Sequence, residues 1–157
     1  MQKEILIVGL NHRSAPIEVR ENVAFEASYL REALAQLRAY PAIQEGVILS
    51  TCNRVEVVAA AADAPSASAE IKKFLDEQGA RRNAGQLDDH VYVYQGADAV
   101  RHVFRVAASL DSMVVGEPQI LGQLKDYYSA AQEAGTVGAI LHRLFHRAFS
   151  VAKRVRT

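Results

Sequence analysis

A buried strand is predicted by the short, β-branched apolar run Glu4-Ile-Leu-Ile-Val-Gly-Leu10, which stops at turn-prone residues. Two more strand-like runs, Val47-Ile-Leu49 and Val55-Glu-Val-Val58, flank the polar stretch Ser50-Thr-Cys-Asn-Arg54. That arrangement predicts a hairpin. A fourth strand is predicted at His90-Val-Tyr-Val-Tyr94, so we expect a sheet of four strands.

Helical segments separate these strands. Apolar residues recur at spacings of three and four across 17–40, with Ser28 as the expected N-cap and Pro41 ending the helix. The alanine-rich stretch Ala59 to Ser68 predicts a loop or a fraying strand end, and a second helix follows with Gly79 near its end. The order strand, helix, strand, strand, helix, strand predicts an α+β fold with a ferredoxin-like split βαβ sheet. Three C-terminal helices are expected at about 97–110, 117–134 and 138–157.

Composition places the chain among compact soluble domains. It has 157 residues, of which 50% are hydrophobic and 23% charged, which excludes disorder and collagen. Its 18 basic and 18 acidic residues give no net charge, which argues against a polyelectrolyte partner that binds over the whole surface. No apolar run approaches the ~20 residues of a membrane span, and Glu4 does not suit a signal peptide. We therefore expect a cytoplasmic protein.

The last predicted helix is basic and keeps its apolar stripe, which begins at Leu141, as far as Val155. Terminal helices often fray, but we expect residues 1–140 to form the domain and residues 141–157 to start a longer helix. The segment 142–157 contains no acidic residue and five basic ones: Arg143, Arg147, Lys153, Arg154 and Arg156.

Cys52 is the only cysteine, and polar neighbours surround it at the predicted hairpin turn. Most free cysteines are small core residues. Residues two apart in an extended chain face the same way, so we expect Arg54 to lie beside Cys52. A guanidinium there favours the nucleophilic thiolate over the thiol.

His102 is the histidine that we single out as a partner for this thiol. At 3.6 residues per turn it points almost opposite to the apolar stripe of its helix, so we expect it to face solvent or a cleft. An ordinary surface histidine is the alternative, and His12 at the end of the first strand is the second candidate. The stripe consists of Val100, Val103, Phe104 and Ala107.

The stretch 109–125 is dense in groups that can hold a small polar ligand. Pro118 suits the first turn of a helix, so the backbone donors from Glu117 to Ile120 are expected to form a partly positive end. Gln119 and Gln123 lie four apart and share a helix face, where two amides can bind a carboxylate or an amide. A solvated face is the ordinary alternative for glutamine.

Several familiar sites are missing from the sequence. No Gly-x-Gly-x-x-Gly follows a strand, no phosphate-binding loop is present, and no Cys or His pair has zinc spacing. We therefore predict neither a dinucleotide nor a metal in this chain.

Four segments together closely resemble glutamyl-tRNA reductase. They are residues 9–21 (GLNHRSAPIEVRE), 49–56 (LSTCNRVE), 109–125 (SLDSMVVGEPQILGQLK) and 142–149 (HRLFHRAF). The resemblance covers nearly all of this chain but only the N-terminal catalytic part of that family's protein. The family continues into an NADPH-binding domain and a C-terminal dimerisation domain, tied to the catalytic domain by a long spinal helix.

The resemblance implies that Cys52 attacks the ester of glutamyl-tRNA and forms a thioester. NADPH, bound by an absent domain and not by this fragment, would reduce the thioester to glutamate-1-semialdehyde, a tetrapyrrole precursor. His102 falls where the family has a histidine important for activity, in an acid-base or a positioning role. A homodimer formed through an absent domain and contact with glutamate-1-semialdehyde aminomutase are also implied. The implied substrate-binding residues are Thr51, Asn53, Arg54, Ser112, Glu117, Pro118, Gln119 and Gln123.

Two other functions stay open on the residues alone. The chain can be a non-catalytic module whose basic C-terminal helix binds tRNA or a protein, and RNA affinity would then fall steeply with ionic strength. A free-standing cysteine hydrolase is disfavoured because no His and Asn or Asp pair forms a local signature.

Overall fold

The computed structural model of the chain describes residues 2–80, 87–110 and 119–156. Its strands are β1 (Glu4–Asn11), β2 (Glu45–Ser50), β3 (Arg54–Ala61) and β4 (Tyr92–Gln95). Its helices are α1 (Ile17–Val23), α2 (Ala27–Arg38), α3 (Ala64–Ala80), α4 (Ala97–Ala107), α5 (Ile120–Glu133) and α6 (Ala139–Arg156). None of the helices in these ranges is long and apolar enough to cross a membrane.

The four strands form one sheet in the order β2-β3-β1-β4, and every neighbouring pair is antiparallel. This confirms the ferredoxin-like order that the sequence predicts. In the register of the sheet, Gly9 on β1 lies opposite Glu56 on β3 and opposite Tyr92 on β4. The three residues therefore form one row across the sheet, in which Glu56 and Tyr92 present their side chains to the same face on either side of Gly9.

Helices cover both faces of the sheet. The helices α2 and α3 pack on β2 and β1, while α4, α5 and α6 contact one another and pack on the same strands. Every residue of β2 and β3 is buried, although successive side chains point to opposite faces. Each fully buried Val, Leu or Ile side chain contributes roughly 1.5–3 kcal/mol, so this double-sided core is the main source of stability.

The connections differ from the expectation in two places. The helix predicted across 17–40 is interrupted after Val23, because Phe25 enters the core, stacks on Phe74 at 5.7 Å and donates its N–H to Ser50 Oγ at 2.9 Å. The second half is capped at Glu26, so the prediction of Ser28 as N-cap is wrong.

The stretch 59–68, predicted as a loop or a fraying strand end, contains the end of β3 and the start of α3. β3 continues to Ala61, which pairs with Glu4 on β1, and α3 already begins at Ala64. Pro65 lies in the first turn of α3, where its missing N–H costs nothing.

Glu45 fixes the start of α6. Its Oε1 accepts the backbone N–H groups of Gly138 and Leu141 at 2.8 and 2.9 Å, which satisfies two of the donors that the first turn leaves free. A carboxylate also suits the positive end of a helix. Glu45 on β2 therefore fixes the position at which α6 begins.

Candidate active site at the β2–β3 turn

The turn between β2 and β3 presents Cys52 to solvent. The Thr51 N–H donates to the carbonyl of Arg54 at 2.8 Å, and the Asn53 N–H donates to Thr51 Oγ1 at 3.3 Å. These bonds close a tight turn with Cys52 and Asn53 at its tip. Cys52 is exposed, so its thiol is accessible to a substrate.

Arg20 on α1 binds the main chain of this turn. Its Nε donates to the Cys52 carbonyl at 3.2 Å, and its Nη1 donates to the Ala15 carbonyl at 2.7 Å. Arg20 is only 7% exposed. The sequence did not identify Arg20, because its hydrogen-bond partner lies 32 positions away. The only indication was that Arg20 belongs to segment 9–21, which carries the family resemblance.

Two more carbonyls of the turn region have partners on other elements. The backbone N–H of His12, just beyond β1, donates to the Asn53 carbonyl at 2.9 Å. The hydroxyl of Tyr127 on α5 donates to the Ser50 carbonyl. Main-chain acceptors therefore anchor the turn to α1, to the end of β1 and to α5.

Arg54 is fully buried, whereas Cys52 is exposed. Its side chain has no exposed surface, and its Nη1 is 3.3 Å from Glu56 Oε1. β3 begins at Arg54 and directs the guanidinium into the core. The Arg54 guanidinium is therefore buried and paired with Glu56. The expectation that it lies beside the Cys52 thiol stays a prediction.

His102 is also buried, so the expectation that it faces solvent or a cleft is wrong. It is 7% exposed, its Nε2 is hydrogen-bonded to Glu56 Oε2, and the Tyr94 ring stacks on it at 4.7 Å. α4 is rotated relative to the predicted stripe because Glu56 supplies a polar partner inside the core. The buried side of α4 consists of Ala99, His102, Val103, Val106 and Ala107.

Glu56 is the centre of this buried network. Burial by itself raises the pKa of Glu56, but the His102 hydrogen bond, the Arg54 charge and the Tyr92 hydrogen bond together lower that pKa to about 2. Because the carboxylate is ionised and can only accept, His102 Nε2 carries a proton and donates it. Burial and then the Glu56 charge raise the pKa of Tyr92, so its hydroxyl is a donor.

Gly9 makes room for the network. A Cβ atom at this position would lie 2.5 Å from the Val55 carbonyl oxygen and 2.7 Å from Glu56 Cγ. The space above Gly9 is therefore filled by the Glu56 side chain. The Tyr92 hydroxyl reaches Glu56 Oε2 from the other side of Gly9 at 2.6 Å.

The remaining predicted residues are only partly brought together. Thr51 is half-buried and Asn53 is buried beside Cys52. Gln119 is exposed and precedes α5, and Gln123 is half-buried one turn later. Ser112, Glu117 and Pro118 lie outside the described residues. Within the described ranges, no group of three or more His, Cys, Asp or Glu side chains can hold a metal ion.

Comparison with known proteins identifies the family. Residues 8–157 match the family described as "Glutamyl-tRNAGlu reductase, N-terminal domain". The chain is 54% identical over 153 residues to the glutamyl-tRNA reductase of Pelobacter propionicus, covering 98% of this chain and 35% of that protein. It is 50% identical over 151 residues to the enzyme of Syntrophotalea carbinolica, covering 96% and 34%.

A solved structure gives the same result. Glutamyl-tRNA reductase from Methanopyrus kandleri superposes with a TM-score of 0.75 at 35% identity, covering 97% of this chain and 34% of that one. The chain thus spans about a third of the length of these relatives. It belongs to the family of glutamyl-tRNA reductase N-terminal domains.

Proposed function

We propose that this chain carries out the acyl-transfer half of the glutamyl-tRNA reductase reaction, with Cys52 as the nucleophile. The observation that supports this is the position of Cys52, the only cysteine, exposed at the tip of a turn held through its main chain. An incidental core cysteine would be buried.

The chemistry that we propose is a thiol attack on an ester. The Cys52 thiolate attacks the carbonyl carbon of glutamate esterified to its tRNA, and an S–C bond forms. The C–O bond to the terminal ribose then breaks, the ribose oxygen takes a proton, and tRNA leaves. The product is a glutamyl thioester, whose carbonyl is less resonance-stabilised than that of the ester and accepts a hydride more readily.

Residues around the turn are proposed to hold the glutamyl group. Thr51 and Asn53 flank the nucleophile within the turn. Ser112, Glu117 and Pro118, together with Gln119 and Gln123, complete the proposed pocket. Arg54 is fully buried, and its direct contact with the substrate carboxylate stays a prediction.

We assign His102 a positioning role. It donates to Glu56, Glu56 pairs with Arg54, and the carbonyl of Arg54 accepts the N–H of Thr51 at 2.8 Å. The buried network therefore lies directly behind the turn. Removing one partner from such a network leaves a buried charge without compensation, and the turn would lose its support.

NADPH, the hydride donor implied for the full-length enzyme, does not fit the described residues. Dinucleotides bind at the carboxyl ends of neighbouring parallel strands, beside a glycine-rich turn. Here every neighbouring strand pair is antiparallel, and no Gly-x-Gly-x-x-Gly follows a strand. The reduction step is therefore assigned to none of the described residues.

We further propose that residues 1–140 form the catalytic domain and that residues 141–157 begin a spinal helix. We also propose that the enzyme is a cytoplasmic homodimer that contacts glutamate-1-semialdehyde aminomutase.

Mass spectrometry tests the proposed function. After incubation with glutamyl-tRNA, the peptide that contains Cys52 should carry a glutamyl adduct, and free tRNA should be released. A Cys52→Ser protein that releases tRNA as fast as the parent would refute the assignment. Uncharged tRNA and a parent protein pre-treated with iodoacetamide are the controls, and neither should give an adduct.

A further inference from the structure

Three basic residues of α6, Arg143, Arg147 and Lys153, line grooves on two sides of the helix. Arg143 and Arg147 lie on the side of α4, at a groove that is otherwise lined by apolar side chains such as Val100 and Phe104. Lys153 lies on the side of α5. The two sides therefore offer different chemistry to a partner.

The groove between α5 and α6 is cationic and aromatic. It has a volume of about 690 Å³, and none of the described residues that line it is acidic. The lining residues that carry charge, donors or ring faces are Lys125, Tyr128, His142, His146, Phe149 and Lys153. We call this site the α5–α6 groove.

The groups in the α5–α6 groove are held close together. Lys125 Nζ lies 5.9 Å from the centre of the Phe149 ring. The His142 and His146 rings are 4.2 Å apart, and the Tyr128 hydroxyl is hydrogen-bonded to His142 Nδ1 at 2.8 Å. Tyr128 is buried, whereas the His142 and His146 rings are exposed. An ammonium group near exposed rings suits a nucleic-acid strand, since the cation meets phosphates and the rings stack on bases.

The α5–α6 groove also lies close to the turn that carries Cys52. The Tyr127 hydroxyl contacts the Ser50 carbonyl on one side of α5, and the next residue, Tyr128, lines the groove on another. The diameter of a helix with its side chains is about 10 Å. An RNA whose 3′ end reaches Cys52 can therefore place neighbouring phosphates in the groove.

We propose that the α5–α6 groove binds the phosphate backbone of the tRNA substrate, with Lys125 and Lys153 as the main cations. This inference rests on the proposed function, which supplies the RNA. An acidic polypeptide is the other polyanion to consider, but it uses the aromatic faces less well than nucleobases do. RNA is therefore the partner that the groove fits.

Matched double variants test the proposal. Lys125→Gln with Lys153→Gln removes two charges from the α5–α6 groove, and Arg143→Gln with Arg147→Gln removes two charges from the other side of α6. Binding of an uncharged glutamate-specific tRNA transcript is measured by fluorescence anisotropy at several salt concentrations. The lysine pair should raise Kd at least tenfold and reduce the slope of log affinity against log salt by about 1.4–1.8. The arginine pair should change Kd less than twofold.

A second measurement uses the unmodified protein, so it does not depend on variant folding. Bound tRNA should protect Lys125 and Lys153 from acetylation more than it protects Lys72 and Lys73, which lie on α3. Equal effects of the two variant pairs, or no effect of either, would overturn the proposal. Protection by poly-L-glutamate but not by tRNA would also overturn it, because the groove would then be a protein site.

The outcome for the groove is separable from that for Cys52. If glutamyl-tRNA gives the Cys52 adduct while both variant pairs bind tRNA like the parent, the groove proposal fails and the proposed function stands. If the lysine pair alone loses tRNA binding and no adduct forms on the parent, the proposed function fails and the groove is an RNA site without that chemistry.

Discussion

The hydroxyl of Tyr92 donates a 2.6 Å hydrogen bond to Glu56 Oε2 across the backbone of Gly9. The two residues are two strands apart, and they meet only because the residue between them has no side chain. This contact joins the edge strand β4 to the carboxylate behind the Cys52 turn.

Tyr92→Phe should lower the free energy of unfolding by about 1.5–3 kcal/mol, because a hydrogen bond to a buried charge is lost. Urea denaturation followed by circular dichroism measures it. Tyr94→Phe is the control, since the Tyr94 hydroxyl has no hydrogen-bond partner among the described residues. Equal losses for the two variants would show that the Glu56 contact contributes nothing specific.

Stability should fall with acid in a window set by Glu56. Its pKa is lowered from 4.5 to about 2 in the folded protein, so unfolding takes up a proton as the pH drops. The contribution is fully present above about pH 4.5 and is lost toward pH 2, and it amounts to roughly 3 kcal/mol.

Urea unfolding of the parent and of Glu56→Gln at pH 5 and pH 3 isolates this contribution, because the other carboxylates titrate in both proteins. The difference in stability between the two proteins should shrink at pH 3. A difference that is the same at both pH values would contradict the assignment.

Gly9→Ala should be strongly destabilising, by about 2 kcal/mol or more. The new Cβ would lie 2.5 Å from a backbone oxygen of β3, and a paired central strand cannot move aside easily. Gly122→Ala on α5 is the matched control, because nothing lies within 4 Å of its Cβ position. Alanine is the better helix former by about 1 kcal/mol, so thermal denaturation should show opposite signs for the two variants.

His102→Gln should keep most of the acyl-transfer rate, whereas His102→Ala should lose it. Gln can place an N–H where His102 Nε2 donates to Glu56, but it cannot act as an acid or base near neutral pH. The rate of Cys52 adduct formation across pH 6–9 is the measurement. Equal inactivity of both variants, with folding intact, would assign His102 to acid-base catalysis instead.

Arg20→Lys should loosen the Cys52 turn. A single ammonium does not reproduce the fork with which Arg20 binds the Cys52 and Ala15 carbonyls. We expect a loss of about 1–3 kcal/mol in stability and slower adduct formation. Arg31→Lys, at an exposed position on α2, should change neither. An Arg20→Lys protein that matches the parent in both assays would contradict this role.

The strands and their order could be predicted from the sequence because local patterns determine them. β-branched runs such as Ile5 to Val8 mark strands, and the polar stretch around Cys52 marks a turn. The interruption after Val23 could not be predicted, because it depends on Phe25 reaching Phe74 on another helix.

The site was predictable only in part, for a related reason. Cys52 is identified by its own chemistry and its position at a turn. The apolar stripe of α4 predicts that polar His102 faces outward. In the structure His102 is buried, because Glu56 provides a hydrogen-bond partner inside the core. Arg20 and Glu56 act through tertiary contacts that spacing along the chain does not reveal.

The turn is anchored through the carbonyls of Ser50, Cys52 and Asn53, not through the thiol. Position 52 can therefore accept other small side chains while the surrounding backbone keeps its shape. Replacing Cys52 by serine, alanine or selenocysteine should therefore change the reactivity of the side chain but not the fold. A difference in activity between these variants can then be attributed to the side-chain atom at position 52.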